Sequence, residues 1–260
     1  MPALIAAAAT ACGDTARPLG LAGIDALSVL FVVESPDSIQ PMLLMRATPG
    51  PPLTAAVEVR DDADRLVATA TLPAEFDTDE LRPCQQRYGP VIGFARCAVL
   101  AWTPEPGGSY HVVVTAPDLP TARAEVAVPA AYHLLSLHAE YDRSAVRHID
   151  IEWSASAGAY RYYAMIQPSE PPTCFRQNEC RNQGWLRVTE GTHIAEDIPD
   201  GTFADARGPW TLSVLAVSEP LHRAMNSGSG EGLFPVPPAS NVEGGYGVMG
   251  AWVRASELLP

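Results

Sequence analysis

Thirty acidic side chains against 17 basic ones, a net charge of −13 over 260 residues, set up a field that repels nucleic acid and anionic lipid headgroups and so argues against either as a main partner. Every basic residue is arginine, which removes lysine Schiff-base and Ser/Lys chemistry. With 47% apolar residues the length suits two cored domains, and 25 prolines with 20 glycines cut the chain into short segments that favour strands and turns, so the expected class is all-β.

Residues 1–23 read as a signal segment and tether. Ala9, Thr10 and Ala11 before Cys12 resemble a bacterial lipobox, in which the cysteine becomes the lipid-modified N-terminus of the mature chain. No later stretch approaches the roughly 18 continuous apolar residues that a spanning helix requires. A first β-sandwich is expected over residues 24–129. Its strands are predicted near Leu27 to Val33, Met42 to Arg46, Ala55 to Arg60 and Leu66 to Thr71, with Asp61, Asp62 and Asp64 forming the turn before the last of these. Those three aspartates invite a calcium reading, but they lack the glycine and distant bidentate glutamate of an EF-hand loop. Pro73 to Gly93 reads as a long polar insertion, followed by a strand from Cys97 to Trp102. Tyr110, Val112 and Val114 then alternate with His111, Val113 and Thr115, and the chain returns through Ala122 to Val128 as a hairpin. Pro129, which lacks a ladder donor, marks the boundary.

The second expected domain, residues 130–260, is organised around Val146 to Ile166. Ile149, Ile151 and Trp153 face one side of a strand, and Asp150, Glu152 and Ser154 the other. After a Ser/Ala/Gly turn the period of two resumes with Tyr160, Tyr162, Ala164 and Ile166, so the stretch is predicted to form a strand pair, its Trp and Tyr packing the core of a small sandwich. Leu134 to Ala139 precedes this pair as a strand. A Pro/Asn/Gln-rich loop from Gln167 to Gly184, a strand at Trp185 to Val188, a polar connection, a strand from Trp210 and a Ser/Gly loop over Ala224 to Glu231 follow it. A strand with Trp, a strand with Tyr and a late Leu-Ala-Val strand look like a fibronectin type III module, giving two tandem immunoglobulin/fibronectin type III-like sandwiches.

Apart from Cys12, the cysteines fall as one pair in each half, Cys84 with Cys97 and Cys174 with Cys180. Two bridges in an oxidising compartment are the favoured reading, free thiols in the cytosol the alternative. A four-cysteine zinc site lacks the spacing of roughly two to four residues that lets neighbouring thiolates share a metal.

The closing run Ser240 to Trp252, SNVEGGYGVMGAW, is similar to the end motif of the domain-of-unknown-function 4249 family of bacterial envelope lipoproteins. The strand at Val32 to Glu34, the Ala-x-Val-x-Val strand with its Asp turn at Ala55 to Asp61, and PGGSYHVVV fit the same pattern, while Met249 stands where the family has an aromatic. The resemblance implies tandem immunoglobulin-like domains outside the cytoplasm, partnership with an envelope or membrane protein complex such as an outer-membrane receptor, and no catalytic residues. From the residues themselves, Gly244, Gly245, Gly247 and Gly250 are expected where backbone passes close to backbone or takes positive φ; a phosphate cradle would need a following helix that AWVRASELLP does not supply.

No catalytic set, metal site or cofactor is expected. His111, His133, His138, His148, His193 and His222 show no metal-ligand spacing, and carboxylates at Asp77, Asp79 and Glu80, or at Glu196, Asp197 and Asp200, are expected on solvated loops. Weak calcium binding at Asp197, Asp200 and Asp205 is the sharper reading of the second cluster. Three function classes follow. The first is a lipid-anchored, non-catalytic protein-binding or scaffold module in the periplasm or at the cell surface. A variant of it is an extrinsic subunit bracing a membrane complex of the transport or electron-transfer, including photosynthetic, type. The second is carbohydrate or peptide capture on exposed Trp185, Tyr88 and Trp252, and the third an enzyme for which no residue set stands out.

Overall fold

The computed structural model describes residues 25–47, 53–73, 78–88, 95–142, 145–168, 184–199, 202–203, 209–226 and 240–259. Cys12, Cys174 and Cys180, with Asp77, Asp200 and Asp205, lie outside them. The described chain is almost wholly β-structure, in sheets that pair as sandwiches. No helix among these residues is long and apolar enough to cross a membrane.

Two compact units emerge, and they are not consecutive blocks. One runs up to Val128 and takes in Ser218–Trp252; the other is Pro129–Val217 with Val253–Pro260. The last strand, β14 (Gly245–Leu259), has its residues up to Trp252 in the first unit and those from Val253 in the second.

In the first unit β14 lies beside β1 (Leu27–Ser35), then β2 (Ile39–Arg46) and β5 (Arg96–Ala101). The second sheet runs β4 (Leu66–Leu72), β3 (Ala55–Asp61), β6 (Ser109–Thr115), β7 (Ala122–Ala127). Period-two burial makes this second sheet amphipathic: Ala55, Val57 and Val59 on β3, and Tyr110, Val112 and Val114 on β6, all point inward. Trp102 just past β5 stacks edge-on to Tyr110 at 5.6 Å and lies 6.2 Å from Phe31, tying the two layers.

The expected polar insertion is partly helical. Thr78–Leu81 forms a 3₁₀ turn and Arg82–Tyr88 a short helix, α1. Helix α1 is held by its buried side. Cys84 is bonded to Cys97 of β5, the Tyr88 hydroxyl donates to the Pro41 carbonyl at 2.5 Å and accepts from the Val32 amide at 3.2 Å, and Arg87 pairs with Glu34 and with Asp37. Burial pushes the Tyr88 phenol up to about 12, since its anion would have to sit in the apolar layer.

The glycines of the closing run behave as the sequence indicates. Gly244 and Gly247 have φ of 72° and 108°, and a Cβ on them would stand 2.2 Å from the Thr121 carbonyl oxygen and 1.9 Å from that of Val29. Each is a close approach of backbone to backbone. Before this run lies α2 (Glu219–Asn226), opened by Pro220 and carrying a Glu219–Arg223 ion pair at 2.6 Å; its last three residues, Ala224 to Asn226, fall in the stretch expected as loop.

In the second unit one sheet runs β11 (Trp185–Thr189), β10 (Arg161–Pro168), β13 (Trp210–Val217), β14. The other runs β12 (His193–Asp197), β9 (Ala145–Trp153), β8 (Leu134–Asp142). The predicted strand pair is corrected here: β9 and β10 belong to opposite sheets and do not pair. Alternation had identified the buried faces, and those faces do meet, with Trp153 and Tyr162 rings at 5.4 Å and Tyr132 edge-on to Tyr162 at 6.0 Å. The Tyr132 hydroxyl donates to the Val214 carbonyl and accepts from the Ala255 amide at 3.2 Å, joining β13 to β14.

Candidate functional site

The outward face of the three-stranded sheet is the most distinctive chemical surface among the described residues. Ile149, Ile151 and Trp153 of β9 are fully buried, so strand alternation turns His148, Asp150 and Glu152 to solvent. Antiparallel register then lays down three cross-strand rows: Glu140, His148 and Asp197; His138, Asp150 and Ala195; and Ser136, Glu152 and His193. The rows carry four carboxylates and three imidazoles within a rigid ladder.

Imidazole–carboxylate contacts run within a row and between rows. His148 Nδ1 lies 2.8 Å from Asp197 Oδ1, His193 Nε2 lies 2.9 Å from Asp150 Oδ1, and His138 Nε2 lies 3.6 Å from Glu140 Oε1. At the end of the face, where a bulge between β8 and β9 shifts the register, Arg147 is held by Asp142 at 3.3 Å. Glu196, one residue from Asp197, turns instead to the Trp185 indole N–H at 2.8 Å and to Arg187.

The Asp197 hydrogen bond raises the His148 imidazole above its ordinary value, and the charges of Asp197, Glu140 and Asp150 add to the effect. Because the folded value lies above the unfolded one, this pair stabilises the fold fully below the ordinary imidazole range. Its contribution fades as pH rises through the raised value. An NMR titration of the ring protons is expected to place the His148 midpoint above that of a free imidazole, and Asp197→Asn to bring it back; an unshifted wild-type midpoint would refute the pairing.

The other sequence-flagged positions fall elsewhere. The Asp61 carboxylate closes the β3–β4 turn, accepting from the Ala63 and Arg65 amides at 3.0 Å each and from Arg65 Nε at 2.7 Å. These bonds, led by the Arg65 side chain, hold it below the usual carboxylate range. With Asp64 at φ 58° the turn is saturated by its own chain. Glu80 is not a solvated loop carboxylate. It binds Arg96 bidentately at 2.9 and 3.0 Å, and Arg96 also donates to the Leu53 carbonyl at 2.7 Å. The candidate capture aromatics are buried, Trp185 at 6%, Tyr88 at 2% and Trp252 at 4% exposure, so they build core and not a ligand platform. Among the described residues no group of three or more His, Cys, Asp or Glu side chains is arranged to hold a metal ion.

Sequence reasoning found the outward side of β9 and missed its partners. Strand β12 reads His-Ile-Ala-Glu-Asp, with Ile194 its one large apolar side chain, and falls in the stretch expected as a polar connection; the alternation around Ile194 is the signal for it. No family model matches the chain, and no curated protein matches it. Among solved structures it is similar to the FN1–FN3 domains of chicken CNTN1, at 11% identity and a TM-score of 0.34, over 88% of this chain and 65% of that one. It is also similar to the BSP domain of a biofilm-associated protein, at 11% identity and a TM-score of 0.26, over 74% of this chain and 27% of that one.

Proposed function

We propose that the chain is a non-catalytic binding or scaffold module working outside the cytoplasm, anchored to the envelope through lipid on Cys12 and belonging to the 4249 lipoprotein family. The observation that carries this reading is the Cys84–Cys97 disulfide, both sulfurs buried in the first unit. A buried cross-link of this kind is the signature of folding in an oxidising compartment. The patterned outward face of β12–β9–β8 supports a binding role, because it places charged side chains on a rigid sheet. The resemblance of the run Ser240 to Trp252 supports the family assignment. The partner in this reading is an envelope or membrane protein complex.

The test uses the full chain expressed with metabolic palmitate labelling beside a Cys12→Ser variant. Expected are label on the wild type alone, sedimentation with membranes, and crosslinking to the same envelope protein in repeated captures. An unlabelled wild type with all thiols reduced would overturn the compartment assignment, and a labelled protein that crosslinks to nothing would overturn the scaffold role.

A further inference from the structure

We propose that the chain self-associates edge to edge, the open side of β8 pairing antiparallel with the same strand of a second copy about a two-fold axis through Ala139. This goes beyond the binding-module reading and does not rest on it. Among the described residues β8 has a ladder partner on one side only, β9, and Ser136 to Asp142 make no backbone hydrogen bond outside that ladder. An open row of N–H and C=O groups is a template for a further strand.

Edges are commonly guarded, and β7 carries a guard: Arg123 and Glu243 exchange backbone hydrogen bonds at 2.9 and 2.8 Å on the side away from β6. Strand β8 has neither a proline nor an inward charge. Its inward residues Leu137, Ala139 and Tyr141 lie opposite Ile151, Ile149 and Val146 of β9, which are buried. Leu137 and Ala139 are nevertheless only half-buried and Tyr141 is 37% exposed, so an apolar border overhangs the open edge.

The regular part of the strand sets the register. Leu134 faces Trp153 and Ser136 faces Glu152, which makes Leu135 an extra residue that ends regular pairing. From Ser136 to its last residue, Asp142, β8 is uninterrupted, and the midpoint of that run is Ala139. Two such runs laid antiparallel about their midpoints place Leu137 opposite Tyr141 of the second copy, His138 opposite Glu140, Ser136 opposite Asp142, and Ala139 opposite itself. Each unlike pair occurs twice by symmetry. Apolar side chains meet apolar ones on the inner face, and on the outer face both carboxylates of the run meet a donor. The imidazole N–H donates in either protonation state, so the pairing does not depend on its titration.

Other registers lose this match. A shift by one residue sets polar against apolar side chains, and a shift by two opposes either Glu140 to Glu140 or His138 to His138. A strand complementary to its own reverse is what an isologous contact requires, and it selects a second copy as the occupant. The net charge of −13 opposes association at long range. At physiological salt that repulsion is screened beyond about 8 Å, whereas the His138 and Glu140 side chains, 69% and 65% exposed, come into contact.

The full chain carrying Cys12→Ser, so that this thiol cannot link copies, is to be sedimented over about 2 to 200 μM at physiological salt. A strand pair of this size is a small interface, and a monomer–dimer equilibrium with a Kd of about 10 to 100 μM is expected. His138→Glu and Glu140→Arg are each expected to weaken it about tenfold or more, and their equimolar mixture to return to within about threefold of the parent, because the introduced charges then face each other. His111→Glu, the same change on the first unit, is expected to alter it less than about twofold. Under mild oxidation Ala139→Cys is expected to give a covalent dimer, since opposed Cα atoms about 4.5 to 5.5 Å apart suit a disulfide, and Leu135→Cys to give none. A parent chain monomeric throughout, a dimer that survives His138→Glu, or a mixture that stays dissociated would overturn the inference; should a charged variant fail to fold, crosslinking at Ala139 decides alone. Any of these failures leaves the binding-module reading standing.

Discussion

Gly247→Ala is expected to cost the first unit upwards of about 3 kcal/mol, the largest effect of a Gly→Ala change among the described glycines. Two penalties combine. The φ of 108° lies where an L side chain is strained, and the new carbon would sit 1.9 Å from the Val29 carbonyl oxygen, 2.8 Å from its carbonyl carbon and 3.0 Å from its amide nitrogen. All three are backbone atoms of β1, a strand buried along its whole length, so no flexible side chain can move aside. Either β14 leaves β1 or β1 shifts against β2, and both routes sacrifice ladder hydrogen bonds. Gly191→Ala is the control, because its Cβ would meet only the Thr189 hydroxyl at 3.6 Å with no positive φ, and it is expected to be neutral or slightly stabilising. Urea unfolding followed by tryptophan fluorescence measures both, with Trp102 and Trp252 reporting on the first unit. A Gly247→Ala midpoint within error of wild type would show that β14 does not need the close approach.

The same glycine illustrates what a sequence makes legible. Gly244 to Gly250 announces backbone proximity because only the missing Cβ explains four glycines in seven residues, yet nothing in the run names Val29 or Thr121 as the neighbours. Alternation has the same limit. It reports that Ile149, Ile151 and Trp153 are inward, and the structure agrees; it is silent on whether the next strand pairs beside β9 or faces it across the core, and β10 takes the second course. Helix α2 carries a local signature, Pro220 at its first turn and a Glu219–Arg223 pair one helical turn apart. Helix α1 had almost none, since seven residues containing Pro83 are held by the disulfide, Tyr88 and Arg87 and not by intrinsic propensity. The acid/imidazole face was half legible. Asp150 and Glu152 were placed outward from alternation, but the bonds from His148 to Asp197 and from His193 to Asp150 cross 49 and 43 residues, and only the folded register supplies them.

The second large effect is expected from Cys84→Ala/Cys97→Ala. The bridge closes a loop with a sequence separation of 13, and the chain-entropy cost of opening it in the unfolded state is about 3 kcal/mol. What remains of the anchor is substantial: Tyr88 still bonds Pro41 and Val32, Arg87 still pairs with the buried Glu34, and Glu80 still grips Arg96 at the head of β5. The double variant is therefore expected to fold and to melt roughly 6 to 12 °C lower in scanning calorimetry. Wild type scanned in excess reductant should show the same shift, because both treatments release the same loop. Adding Glu80→Gln to the double variant is expected to cost more than it does in wild type. With the bridge gone, the Glu80 carboxylate, which binds buried Arg96 and accepts from the Cys97 amide, carries more of the hold on β5, and Glu80→Gln would weaken its pairing with a buried guanidinium. Strict additivity of the two changes would mean that α1 and the 3₁₀ turn are held independently. An unshifted melt on reduction would mean that the side-chain anchors alone fix the helix and that the disulfide contributes nothing to the stability of the first unit.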